Sequence, residues 1–488
     1  MPMCLFIFEQ TRAQSGQNNL WLGGFEDQSP PPWGGVDLNF SIGELIITTA
    51  ERTIDFKRTN ANITDESGYL LFSTNGAYVA NAFGDTMFNG TGLNPSWYTS
   101  QFLEGLHLSQ ACMILPKPAS QNIFYLIHGT IDEPTGPYAQ YLYLTTIDMS
   151  LGDGIGAVVS KNEILIDDQL NTGRITAVRH ANGRDWWVFC HKVDSNSFYR
   201  LLVTPEGVAV DGLQSIGIVR APDNGQACIS PDGNKLAYYW AFDLEIFDLD
   251  RCTGLFSNAT HINISDPEAM GGVAFSPNSR FLYLTSVLNV HQFDMEASDV
   301  PSSMIHIAEW DGFYSPSPPF ATMFDIAQIA PDGKIYIGTG NSTSHLHVIH
   351  DPDQSGLACN IQQHGIELPR YFMNSLPNHP NYHLGPIDGS ICDSLGINVS
   401  VPNQDLQIYV TAYPNPSNAS FTLSYPSRSI EGSVEVVDAT GRIIYRKRLP
   451  QWTTIHQFDL LGQAPGMYHC RLSWGGQNAT TRVIIQHE

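Results

Sequence analysis

The chain is 488 residues long, more than a single compact core usually holds, so two or more domains are expected. Charged residues are only 15% of it, against 42 Gly, 30 Pro and 11% aromatics, a mix that favours short strands and turns over long helices. The net charge of −24 is uneven: the first 404 residues carry 17 basic and 42 acidic groups, or −25, and the rest carry +1. An anionic body repels phosphate backbones and excludes nucleic acid as a partner. No stretch approaches the ~18 uninterrupted apolar residues of a membrane helix.

At the amino terminus, Cys4-Leu5-Phe6-Ile7-Phe8 is shorter than the apolar run of a secretory signal, and no Lys or Arg precedes it. Thr11-Arg12-Ala13-Gln14-Ser15 nevertheless resembles a cleavage region. Residues 1–17 are therefore read as a remnant or atypical signal segment whose upstream part is lost to a misassigned start codon.

Three later segments repeat one pattern: Ser230-Pro231-Asp232-Gly233, Ser276-Pro277-Asn278-Ser279 and Ala330-Pro331-Asp332-Gly333, each followed by β-branched or aromatic residues. Pro presets φ for a turn, Asp-Gly or Asn-Ser closes it, and a strand follows. The same order recurs more loosely before Leu70, Phe124 and Trp187, and those positions with Ala237, Leu282 and Tyr336 are spaced by roughly 50 residues, as propeller blades are. Small residues precede each turn, as in Ala227-Cys228-Ile229 and Val273-Ala274-Phe275, and suit an innermost strand where blades crowd. Six units are counted this way. The leftover ends, Leu20 to Ile47 and Gly365 to Leu384, are expected to build a seventh blade between them and remove the open edges. Seven blades are expected over residues 18–397, with six as the alternative.

These repeats resemble the Ser-Pro-Asp-Gly blades of WD40-like, TolB-like propellers. Two longer stretches, Phe247-Asp248-Leu249-Asp250-Arg251-Cys252-Thr253-Gly254 and Leu376-Pro377-Asn378-His379-Pro380-Asn381-Tyr382-His383-Leu384-Gly385-Pro386, resemble segments of secreted Bacteroidetes propellers. The resemblance implies architecture and no particular activity.

Chemistry-bearing residues are sparse. The eight cysteines include no C-x-x-C pair. Cys112 and Cys228 fall in the same inner-strand slot of two blades and read as packing residues. Cys359 and Cys392 flank the proposed closing blade, where an oxidising compartment would allow a disulfide that staples the ring. Asp351-Pro352-Asp353-Gln354-Ser355-Gly356 resembles the first half of a calcium loop, but Gln362 stands at position 12 and cannot chelate as a carboxylate does, so a turn is the preferred reading. His345 and His347, like His379 and His383, lack a third ligand, and no cofactor is expected. No G-x-S-x-G occurs. Asp and Glu of distant blades could still face one another in a funnel, which leaves a polysaccharide hydrolase or lyase as the alternative to a non-enzymatic binding or adhesion module.

After a polar linker at 398–405, the segment 406–488 alternates as a small Ig-like β-sandwich does. It contains Tyr413-Pro414-Asn415-Pro416, then Asp438-Ala439-Thr440-Gly441-Arg442, then Ala464-Pro465-Gly466-Met467-Tyr468, and closes on Thr480-Thr481-Arg482-Val483-Ile484-Ile485. Turn and strand logic alone accounts for Gly441 and Gly466. The joint order resembles the type A C-terminal sorting domain of the Bacteroidetes type IX secretion system, whose motif is matched by Tyr413, Pro414, Asn415, Pro416, Gly441, Arg442, Gly466 and Tyr468. Cys470 departs from it, because an apolar residue is more usual there, and Arg482 stands where Lys is frequent. The resemblance implies a Sec signal, folding of the propeller in the periplasm, and binding of the sandwich by an outer-membrane translocon. A sortase-like peptidase would then cut near Val401-Pro402-Asn403-Gln404-Asp405, leaving the propeller secreted or on the cell surface, with a glycan or protein as its ligand.

Overall fold

Runs of aliphatic and aromatic residues bounded by Pro-, Asp- and Gly-bearing turns become antiparallel four-stranded sheets, one after another, along most of the chain. The computed structural model describes residues 16–41, 43–132, 138–240, 242–266, 271–316, 319–393, 410–425, 430–451, 453, 455–475 and 477–486. The chain divides into two compact units, 1–395 and 396–488. The expected signal segment up to residue 15, the linker at 398–405 and the expected strand at 406–409 lie outside the described residues.

The first unit is a seven-bladed β-propeller. Its first blade has three strands, Leu20–Phe25, Gly34–Asn39 and Ile46–Ala50; the other six have four. Those six begin at Ala61–Thr64, Cys112–Pro116, Thr176–Arg179, Gly225–Ile229, Gly271–Phe275 and Phe324–Ile329, the small-residue strands expected at the centre. The outer strands of blades two and three join through one parallel pairing of Phe88 with Ala157, which merges both into an eight-stranded sheet.

Burial falls from the inside outward. The second strands Trp186–His191 and Phe281–Ser286 are buried along their whole length, because neighbouring blades cover both faces. The outer strand Gly207–Arg220 alternates half-buried with exposed positions. The turns after the inner strands behave as their residues dictate. The Ser230 hydroxyl accepts from Lys235 N at 3.0 Å, Asp232 accepts from Asn234 N at 3.1 Å, and Gly233 takes φ +78. Ser276, Asn278 and Ser279 repeat the arrangement, with Ser279 in the left-handed conformation at φ 64.

Six apolar clusters run round the ring without a break. Leu22, Ile54, Phe56 and Ala80 join blades one and two. One large cluster spans blades two to four, and three more join four to five, five to six and six to seven. Trp21, Phe40, Tyr336, Leu346 and Phe372 close blade seven on blade one, with Trp21 edge-on to Phe40 and Tyr336 at 5.1 and 5.8 Å. The expected sharing of one blade between the two ends is not how the ring closes. Ile361–Met373 is the outer strand of blade seven, and blade one is built from the amino-terminal residues alone.

The residues after Met373 form a strap through the central channel. Asn60 Nδ2 donates to Ser375 O at 2.5 Å, Asn378 Nδ2 donates to Cys112 O at 3.0 Å and Ile175 O at 2.9 Å, and Tyr382 Oη donates to Ile114 O at 2.9 Å. Further on, Arg251 Nη2 donates to Gly385 O at 2.5 Å, and Cys392 is disulfide-bonded to Cys252, 140 residues away, with Cα atoms 5.6 Å apart. The expected pair Cys359–Cys392 is therefore corrected. Cys359 is a free thiol, fully buried where blades six and seven pack, while the strap carries Cys392 to the turn after Asp250.

The second unit is a β-sandwich. One sheet orders Thr411–Tyr413, Ser420–Ser424 and Ile455–Asp459; the other orders Ile443–Leu449, Gly432–Val437, Gly466–Trp474 and Gln477–Ile485. Phe421, Val434, Phe458, Cys470, Leu472 and Val483 meet in its core.

Candidate functional site

Inner strands leave one backbone edge facing the channel, and side-chain amides occupy much of it. Gln226 Oε1 accepts from Val273 N at 3.1 Å and Ala327 N at 3.0 Å, while its Nε2 donates to Ala327 O at 2.6 Å. Gln110 pairs with both backbone groups of Ala227 and donates to Asn378 Oδ1 at 3.2 Å. Together with Asn60 and Asn378 they form a polar plug across the middle of the channel.

The plug separates two mouths. At the starts of the inner strands lies a polar pocket of about 30 Å³ lined by Arg58, His107, Asp223 and Asp325, among others. Asp325 Oδ2 accepts from Arg58 Nη2 at 3.3 Å and Asn374 Nδ2 at 2.5 Å. Burial raises its pKa above the usual carboxylate range, and Arg58 only partly offsets this. Burial likewise lowers His107, with Lys57 and Arg58 adding to the effect.

At the turn end of the same strands the channel widens into a cavity of about 310 Å³. Val178, Ile229, Phe275, Ile329 and Leu384 line it with the rings of Pro231, Pro277, Pro331 and Pro380. Among the described residues its one acidic lining residue is Asp332, which accepts from Tyr336 Oη at 2.9 Å and pairs with Lys334 at 3.4 Å.

The other sequence-flagged groups do not converge. Asp351 accepts from Asn360 Nδ2 at 3.1 Å, and Asp353 accepts from Asn278 N of the neighbouring blade at 3.0 Å. His347 is buried with Nδ1 accepting from His364 N at 2.9 Å, whereas His345 packs on Phe313. Among the described residues, no three or more His, Cys, Asp or Glu side chains are placed to hold a metal ion.

In the sandwich, the motif residues do converge. Asn415 acts as an extra strand position: its Oδ1 accepts from Ile484 N at 2.9 Å and its Nδ2 donates to Arg482 O at 2.8 Å. The Asp438 carboxylate gathers Thr440 N, Arg442 N and Arg442 Nε at 3.0, 3.0 and 3.2 Å, while Gly441 takes φ +84, a conformation in which a side chain is strained. Gly466 opens its strand opposite Ile485, and Tyr468, buried, donates to Ala464 O at 2.6 Å. Val437 lies opposite His469, and His469 opposite Arg482. This register brings all four motifs to one end of the four-stranded sheet. Tyr413, Pro414, Asn415 and Pro416 are exposed there, as are Gly441, Arg442 and Gly466.

Residues 411–486 match the family model of the secretion system C-terminal sorting domain. The tail is a type IX sorting domain. It marks the chain for export to the cell surface or the medium, and it engages the type IX machinery. No curated protein matches the chain. Among solved structures, a candidate 6-phosphogluconolactonase of Bacteroides fragilis matches at 11% identity and a TM-score of 0.40, covering 74% of this chain and 97% of its own. Another from Bacteroides uniformis matches at 11% identity and 0.38, covering 91% and 100%. A functionally unknown protein of Desulfotomaculum acetoxidans matches at 12% and 0.36, covering 74% and 99%. No helix is long and apolar enough to cross a membrane among the residues described.

What the residues alone did not give is the channel. Gln110, Gln226 and Asn60 sit in no motif, and only the fold brings them together. The stretches 247–254 and 376–386 were visible, but not that Arg251 and Cys252 of one hold the end of the strap begun by the other.

Proposed function

We propose that the exported propeller is a non-enzymatic binding or adhesion module delivered by its sorting domain. The observation that carries this reading is the plugged channel. Four amide side chains satisfy the inner-strand edges where a substrate would otherwise cross, and the larger mouth offers one carboxylate, already paired. The hydrolase or lyase alternative would draw on Asp223 and Asp325, which share the polar pocket with Arg58. That pocket, at about 30 Å³, falls far below the roughly 300 Å³ at which small-molecule sites begin. After export, a sortase-like peptidase cutting near residues 401–405 would release the propeller or leave it on surface lipopolysaccharide.

The full chain incubated with a polysaccharide panel is expected to release no new reducing ends while being retained on a glycan array. Release of oligosaccharides that is lost in both Asp223→Asn and Asp325→Asn would establish the enzyme instead.

A further inference from the structure

The two sheets of the sorting sandwich differ in charge. In the four-stranded sheet, residues directly opposite one another share a face. Arg446 stands opposite Glu435, Glu435 opposite Arg471 and Arg471 opposite Thr480, so this row crosses all four strands. Arg448 lies opposite Ser433 in the row on one side, and Arg482 opposite His469 in the row on the other. The intervening positions Val434, Val436, Cys470, Leu472 and Val483 are buried in the core, so these rows point outward. Arg446, Arg448, Arg471 and Arg482 are all exposed. Four arginines against the one carboxylate of Glu435 leave this face a net +3. The three strands of the other sheet contain no Lys or Arg and end on an exposed Asp459.

Pairing sharpens the contrast. Propeller arginines hold carboxylates: Arg52 with Asp37, Arg58 with Asp325, Arg200 with Asp211 and Arg280 with Asp294. On the sandwich face Arg446 pairs with Glu435 at 2.5 Å, but among the described residues Arg448, Arg471 and Arg482 have no carboxylate in ion-pair reach. Strand spacing sets the Cα atoms of neighbouring arginines roughly 7–10 Å apart, about one Debye length at physiological salt, so their fields add.

We propose that this basic face docks on an acidic protein surface of the type IX machinery. The sorting domain engages that machinery, and complementary charge steers encounter and fixes register between proteins. The face is continuous with the exposed motif end, because Asn415 Nδ2 donates to the carbonyl of Arg482 at 2.8 Å. One partner can therefore cover both. An anionic bilayer fits less well. Electrostatic attachment to lipid draws on clusters of about four to eight basic residues, more than a net +3 supplies, and the −25 of the first 404 residues is repelled by the bilayer as a whole. The inference goes beyond the binding-module reading and does not depend on it.

The test follows delivery of the full chain by fractionation of the encoding organism, with every motif residue left in place. Arg446→Glu, Arg448→Glu and Arg471→Glu together are expected to lower the delivered fraction about tenfold or more, the chain collecting in the periplasm, since steering of this kind changes association rates by about 10–10³. The same three positions changed to Lys keep the charge and are expected to restore native delivery. Changed to Gln, they are expected to fall between, which keeps the test open if the glutamate variant does not fold. Ser420→Glu, Ser424→Glu and Gln457→Glu alter the net charge as much as the glutamine variant does, but on the other sheet, and are expected to leave delivery native. Undiminished delivery of the folded glutamine variant overturns the proposal. So does a lysine variant that fails as the glutamate one does, or an equal loss from charges on the other sheet. Arginine-dependent sedimentation of the purified chain with phosphatidylglycerol vesicles at physiological salt assigns the face to lipid and overturns it too.

Discussion

Four of the buried imidazoles contribute acid sensitivity to the propeller. His128 is hydrogen-bonded between Asn94 and Thr145 at 2.8 Å each, and burial pushes its pKa down to about 3. His347 and His379 are pushed to about 3 chiefly by burial, and His191 to about 2 by burial with Arg220 and Arg174 adding to it. Each folded-state pKa lies below the ordinary value of about 6.5, so between roughly pH 6.5 and 3 the unfolded chain binds more protons than the folded one. Stability is therefore complete above pH 6.5 and is lost as pH falls through that window, by about 1.4 kcal/mol per pH unit for each histidine. Denaturant midpoints measured from pH 8 to 4 are expected to hold level to about pH 6.5 and then fall steeply; a level curve down to pH 4.5 would contradict the burial of these rings. From the sequence, His345 and His347 look like a possible chelating pair. Their separation into a core ring and a half-buried one depends on blade packing, which alternation along a strand does not encode.

At the scale of elements, the strap and its disulfide decide how the ring is held. Cys252→Ser is expected to cost about 2–5 kcal/mol, because the bond closes a 140-residue loop in the unfolded chain. Peptide mapping without reductant should find residues 252 and 392 linked and residue 359 as a thiol; a linked Cys359 would contradict the assignment. Six blades were legible because each has a turn before its second strand, clearest in Ser230-Pro231-Asp232-Gly233, Ser276-Pro277-Asn278-Ser279 and Ala330-Pro331-Asp332-Gly333, where Pro presets φ and an apolar run that must be buried follows. The closure was not legible. Residues 361–373 and 20–50 carry equally apolar strands, and whether they share a sheet depends on register with Ser342–Ile349, which pairs the former into blade seven. The strap escaped for a related reason: Asn378 and Tyr382 read as part of a turn-rich loop until the channel supplies their partners.

For the whole molecule, the sandwich supplies the address and the propeller is the cargo it exports. The address was legible as a domain, since residues 411–486 match the family model within the expected 406–488; inside it Asn415 accepts from Ile484 N across the sheet and Tyr468 donates to Ala464 O. The channel cavity was not, since its lining draws on the inner strands of four blades, on Asn18 and Gln110 and on the strap. The acidic body, −25 over the first 404 residues, suits a protein that works outside the cell, where like charge keeps it dispersed. The most direct test deletes residues 406–488 in the encoding organism and follows the propeller by fractionation. The account expects the truncated chain to fold and accumulate in the periplasm while the intact chain reaches the surface or medium. Undiminished delivery of the truncated chain would contradict it.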